Sequence, residues 1–299
     1  MKTIAVINQK GGVGKTTTTA NLGAAIAAAG RRVCVMDLDP QCHLTLHFGL
    51  DGDSEHTNMY DVLAGEADFS HVLMPVDDNL MLAGASIDLA GLESRLAREP
   101  GREHRLTRAI EDANIDADYM LIDCPPSLGL LTLNALAAAD EAIIPMQPQF
   151  LALQGMARLL QTISLVQQRI NPRLKVRGVV LCMFERITRL ANEVVAELHR
   201  FFESSRNTGT PWSDARVFET VVRRNIRLAE SPSHGQSIFG YDPRSHGAED
   251  YHALAEEFLE SELPDEVPPV AETPIEQAGT FEDATEPAPA GELDHDPTA

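Results

Sequence analysis

At 299 residues and 43% apolar content, the chain can bury a full core, enough for one domain of about 250 residues and a tail. Its formal net charge of -21 argues against a nucleic-acid binder, but twelve of the acids fall between Glu260 and Ala299, where there is no Lys or Arg. The remainder keeps 33 acids against 24 bases, so a local basic patch survives; no apolar run approaches the roughly 20 residues of a membrane span.

In chain order, Ile4-Ala5-Val6-Ile7 reads as a strand and the Ala-rich, Pro-free segment from Thr18 to Ala29 as a helix. Between them stands a glycine-rich loop, Gln9-Lys10-Gly11-Gly12-Val13-Gly14-Lys15-Thr16-Thr17. Against G-x-x-x-x-G-K-[ST], Gly14-Lys15-Thr16 fits, Gln9 stands where the first glycine belongs, and a second lysine, Lys10, sits at the entrance. Glycines let such a loop turn through positive φ and aim N–H groups at phosphate oxygens, and the following helix adds the positive end of its dipole. The pattern assigns Gly11, Gly12, Val13 and Gly14 to the phosphate cradle and Lys15 to the β- and γ-phosphates. Thr16 would ligate a bridging Mg2+ and Thr17 would contact the α-phosphate. A purely structural turn would have little use for two lysines beside three glycines.

Val33 to Met36 reads as a second buried strand with Asp37 and Asp39 at its carboxyl end, the edge where open α/β sheets bind ligands. Asp39-Pro40 can alternatively open a turn. Beyond Gly49 the pattern is weaker: Tyr60 to Gly65 reads as a turn or two of helix, Leu80 to Ala83 as a strand, and Leu89 to Arg98 as a helix ended by Pro100-Gly101. Leu106 to Ala113 is a helix, and Tyr119 to Asp123 an apolar strand that delivers Asp123 to a metal's water shell. Pro125 to Gly129 follows as a γ-phosphate sensor loop. A helix begins at Thr132, Glu141 to Met146 is a strand, Gln149 to about Ile170 a long helix, and Arg177 to Phe184 a central strand. A linker over Ser204 to Ala215 precedes the strand Arg216 to Phe218, and a last helix runs from Ala248 to Leu259.

Strands alternating with longer helices predict an α/β fold, a mostly parallel central sheet with helices on both faces. The domain is expected over residues 1–260. Residues 261–299 are expected to form an acidic Pro/Ala/Glu-rich tail of disordered composition, either a solubilising segment or an electrostatic brake. Cys34, Cys42, Cys124 and Cys182 show no C-x-x-C pairing and suit a reducing compartment, and with no signal peptide in view the cytoplasm is expected.

The loop, Val35-Met36-Asp37-Leu38-Asp39-Pro40-Gln41, Asp123-Cys124-Pro125-Pro126-Ser127 and the segment Arg224 to Gly235 (RNIRLAESPSHG) together resemble the ParA-type (Soj-like) DNA-partitioning ATPases, from about Lys2 to Phe258. The resemblance implies a P-loop NTPase of the deviant Walker A subclass, with ATP and Mg2+ as cofactors. It places Asp37 in the Mg2+ second shell and has Asp39 orient the attacking water. It sends Lys10 across an ATP-dependent homodimer to the other subunit's nucleotide, through a gap that Gly11 leaves open. It also implies an adenine contact from Asn225 and non-specific duplex DNA binding by Arg186, Arg189, Arg223, Arg224 and Arg227. A ParB-like partner and a place on the nucleoid within the cytoplasm follow. Those arginines can equally form ion pairs on an acidic surface.

The sequence departs from the family's pattern at Glu185 to Arg189, where a D-x-R-T-like turn is usual, and at Arg223, where proline is usual. A MinD-type membrane ATPase would need a basic amphipathic C-terminal helix, and this end of the chain is acidic. An iron–sulfur carrier of the same superfamily would need cysteines paired across a dimer, with Cys124 alone beside Asp123. A ParA-like ATPase that positions a cargo other than DNA shares the same loop and stays open.

Overall fold

In the computed structural model, which describes residues 1–52, 56–149, 152–185 and 189–261, the apolar runs become strands. These are β1 (Lys2–Val6), β2 (Val33–Asp37), β3 (Leu73–Asp77), β4 (Leu80–Ala83), β5 (Tyr119–Asp123), β6 (Glu141–Met146), β7 (Lys175–Phe184), β8 (Arg216–Val217) and β9 (Val222–Arg223). They order as β3-β4-β2-β5-β1-β6-β7-β8, with β9 pairing β7 beyond β8. The β3–β4 pair is antiparallel, and the other pairs are parallel.

Parallel strands need crossovers, so helices come to cover both faces of the sheet. They are α1 (Lys15–Ala28), α2 (His43–His47), α3 (Met59–Ala64), α4 (Leu89–Arg95), α5 (Arg105–Ala113), α6 (Leu130–Ala138), α7 (Ala152–Arg169), α8 (Arg189–Ser204), α9 (Ile226–Glu230), α10 (Ile238–Tyr241) and α11 (His246–Glu260). Alternate strand residues feed the two cores. Ala5, Cys34, Met36, Met120 and Ile122 face one, and Ile4, Val33, Val35, Leu121 and Ile143 face the other. Helices α3 to α8 cover the first face through residues such as Leu92, Leu136 and Leu198; α1, α2, α10 and α11 cover the second through Ile26, Leu44, Ile238 and Phe258. The helix that follows the glycine loop lies directly on β2, because a Cβ on Gly23 would stand 2.6 Å from Val35 Cγ1.

Several boundaries differ from expectation for local reasons. Helix α1 begins at Lys15 rather than Thr18, since Gly14 at φ 99° is its N-cap. Helix α4 ends at Arg95, short of Arg98. Helix α11 begins at His246 rather than Ala248, because the Ser245 hydroxyl accepts from Ala248 N at 3.2 Å. Helix α8 was not expected, although Val194, Leu198 and Phe202 fall at i, i+4 and i+8 and are all buried, each worth roughly 1.5–3 kcal/mol. The edge strand β3 and the two-residue β9 are further additions. The tail expected over 261–299 lies outside the described residues apart from Ser261. Among the described residues no helix is long and apolar enough to cross a membrane.

Candidate nucleotide and metal site

The carboxyl ends of β1, β5 and β2 lie side by side, with Val6 opposite Asp123 and Asp123 opposite Asp37. The glycine loop leaves β1 at that edge. Gly12 (φ 69°) and Gly14 (φ 99°) take left-handed backbone, where L side chains are strained. The first turn of α1 carries no acid, so its N–H groups remain available to an anion. Lys15 is only 7% exposed and arches back over the loop, its Nζ donating to the Lys10 carbonyl at 3.5 Å. Lys10 is exposed, and its Nζ donates to Gln149 Oε1 across a cleft of about 480 Å³. Among the described residues a Cβ on Gly11 would meet nothing within 4 Å, so no described neighbour demands glycine there. Behind the loop, the Thr18 hydroxyl lies 3.2 Å from Tyr251 Oη, which ties α11 to the base of α1.

Three carboxylates gather at this sheet edge, and one of them, Asp123, touches the loop. The Thr16 hydroxyl donates to Asp123 Oδ2 at 2.6 Å, while the buried Oδ1 of Asp123 has no hydrogen-bond partner among the described residues. Asp37 Oδ1 accepts from Asp39 N at 3.0 Å, and its Oδ2 accepts from both the backbone N and the hydroxyl of Thr45, at 2.9 and 2.8 Å. Asp39 Oδ1 accepts from Gln41 N at 3.0 Å. Asp39 therefore does open a turn, as Asp-Pro permits, and still stands beside Asp37.

Burial pushes the Asp37 carboxyl up to about 6, against the opposing pull of the Thr45 and Asp39 hydrogen bonds. Burial, and then the charge of Asp37, hold Asp123 well above the usual carboxylate range, while the Thr16 bond and Lys15 pull it down. Excess buried negative charge, an orphaned carboxylate oxygen and a hydroxyl on the same carboxylate fit a divalent cation. Thr16 would ligate it directly, with Asp37 and Asp123 holding its water. Among the described residues no three His, Cys, Asp or Glu side chains form a cage by themselves. That suits Mg2+, which keeps several waters and draws other oxygens from phosphates. All four cysteines are buried. Burial raises the Cys34 and Cys182 thiols to about 12, and that of Cys124 further, so none of these three is a ready nucleophile.

The C-terminal candidates are more scattered. Asn225 caps α9, its Oδ1 accepting from Arg227 N at 2.8 Å. Arg223 grips Asp250, its Nε donating to Oδ1 at 2.9 Å and its Nη2 to the same oxygen at 2.6 Å, and Nη2 also reaches Glu249 at 3.1 Å. Arg224 pairs with Glu185 at 3.1 Å and Arg227 with Glu230 at 2.8 Å, both in exposed positions. Arg186 and the side chain of Arg189 lie outside the described residues. The sequence reading missed Thr45, which no short motif marks, and Tyr251, whose partner is far away in sequence.

A family model described as an AAA domain matches residues 1–176. The sporulation initiation inhibitor protein Soj of Bacillus subtilis is 45% identical over 257 residues, covering 86% of this chain and 97% of that protein. The chromosome partitioning protein ParA of Myxococcus xanthus is 42% identical over 262 residues, covering 87% and 89%. Among solved structures, the cobyrinic acid a,c-diamide synthase of Mycobacterium smegmatis, with bound ATP analogue and magnesium, matches with a TM-score of 0.73 and 37% identity, covering 87% of this chain and 94% of that one.

Proposed function

The chain belongs to the Soj/ParA family of chromosome-partitioning ATPases, and from that premise we propose that it is an ATP-driven switch that dimerises on ATP, binds duplex DNA without sequence preference and is reset by a ParB-like partner. Its cofactors are ATP and Mg2+. The observation that carries the reading is the convergence of half-buried Thr16 with buried Lys15, Asp37, Asp39 and Asp123 on one sheet edge, where one carboxylate oxygen has no hydrogen-bond partner among the described residues.

Bound Mg2+ supplies positive charge to the phosphate oxygens during transfer. Lys15 and the loop N–H groups neutralise the β- and γ-phosphates. Asp39, steadied through its backbone N by Asp37, orients the water that attacks the γ-phosphorus, so that ATP and water become ADP and phosphate. Exposed Lys10 serves the nucleotide of a second subunit, and the open space at Gly11 supports that approach. Arg224 and Arg227, with Arg223, Arg186 and Arg189, supply the DNA contacts, and Asn225 the adenine contact. The protein would then sit on the nucleoid in the cytoplasm.

Light scattering with and without ATP tests the dimer. A Cβ at Gly11 meets no neighbour within 4 Å among the described residues, so Gly11→Val should fold and bind ATP yet stay monomeric. A Gly11→Val protein that dimerises like wild type would refute the face-to-face arrangement.

A further inference from the structure

The Asp37 carboxylate is held by a residue that the sequence pattern does not mark. Thr45, 2% exposed, lies eight residues on in α2 and reaches back to the end of β2, donating to Oδ2 through both its N–H and its hydroxyl. That hydroxyl also accepts from Ala85 N, beyond the end of β4, at 2.9 Å. A hydroxyl has one proton to give; with a lone pair committed to Ala85, the proton is aimed at Asp37. The methyl side is closed as well, since a Cβ on Gly84 would stand 3.3 Å from Thr45 Cγ2. The opposite carboxylate oxygen takes Asp39 N. Thr45 therefore fixes one carboxylate that in turn supports the backbone of Asp39.

We infer that Thr45 is a positioning residue for the metal half of the site: it holds Asp37 in the orientation from which that carboxylate serves the water shell of Mg2+. The inference rests on the magnesium reading above. Loss of a hydrogen-bond partner to a ligand-supporting group typically weakens metal affinity ~10- to 100-fold.

The test measures binding of a fluorescent ADP analogue to the full chain while MgCl2 is titrated, with a parallel series in EDTA. Thr45→Val should raise the Mg2+ midpoint at least ~10-fold and leave the affinity in EDTA unchanged, and Thr45→Ser should restore the midpoint to within a few-fold. In an Asp37→Asn background the Thr45→Val shift should vanish. If Thr45→Val does not fold, Thr45→Ala removes the hydroxyl without setting a second methyl against the carboxylate and carries the same comparison. An unchanged Mg2+ midpoint, or an equal shift in the Asp37→Asn background, would overturn the inference and leave Thr45 a packing residue. A wild-type protein whose nucleotide affinity ignores Mg2+ would overturn the metal reading itself, and this inference with it.

Discussion

Lys15 acts on the chemistry of Asp123. The lysine is buried beside a carboxylate that desolvation holds protonated well above its usual range, and its charge is one of the forces that oppose that rise. Among the described residues the Lys15 ammonium makes one hydrogen bond, a long one to the Lys10 carbonyl, so Lys15→Ala should keep the fold, with a nearly unchanged melting temperature. Nucleotide affinity should fall at least ~100-fold by calorimetry, as expected for loss of a charge-assisted phosphate contact. A variant that binds within a few-fold of wild type would remove Lys15 from the site. The loop chemistry was legible because it is contiguous: Gly12, Gly14, Lys15 and Thr16 carry their roles in their spacing. Thr45 was not, because its meaning depends on Asp37 and Ala85, which only the folded chain brings to it.

At the scale of elements, α2 joins the Asp37–Asp39 turn to the C-terminal segment. Gly49, just after α2, sits so close to Gly235 that a Cβ there would lie 3.3 Å from the Gly235 Cα. His47 is buried in this junction, its Nε2 without a hydrogen-bond partner among the described residues, and burial lowers its pKa to about 4 against a hydrogen bond to the Gln236 backbone. A histidine favoured neutral in the fold contributes stability that is complete above the unfolded value near 6.5 and is lost as pH falls toward 4. The loss is on the order of 3 kcal/mol. His47→Leu should flatten the fall of denaturation midpoint between pH 6.5 and 4; an unaltered slope would show that His47 is not the acid-sensitive group. On the same face, Gly23→Ala forces a methyl against Val35 and should cost roughly 1–3 kcal/mol in urea unfolding. Central strands were readable because they are apolar on both faces, whereas the short β9 gains its identity only from pairing with Cys182 and Phe184. The unexpected α8 shows the opposite case, since its i, i+4, i+8 pattern lay in plain view.

For the whole molecule, the proposed DNA binding has to be reconciled with the charge distribution. Arg223 is committed to Asp250 and so helps fasten β9 to α11, whereas Arg224 pairs with Glu185 and Arg227 with Glu230 and Asp242 near the surface, where solvent screens such pairs and they contribute little. A DNA phosphate can therefore displace the partners of Arg224 and Arg227 at little cost. Arg224→Ala with Arg227→Ala should weaken DNA binding and reduce the slope of log affinity against log salt by roughly 0.9 for each phosphate left without its arginine. An unchanged slope would place the DNA contacts elsewhere. The sequence pattern could propose these arginines only as a set, because their carboxylate partners come from positions as distant as Glu185 and Asp250.

The most direct test of an ATP-switched DNA binder uses Asp39→Ala, which should hold ATP without hydrolysing it, mixed with arbitrary duplex DNA in ATP, in ADP and without nucleotide, across a salt series. Retention with ATP alone, falling steeply as salt rises, is the predicted result. Dimerisation on ATP with no DNA retention at low salt would contradict it, and would mean that the switch acts on a protein cargo.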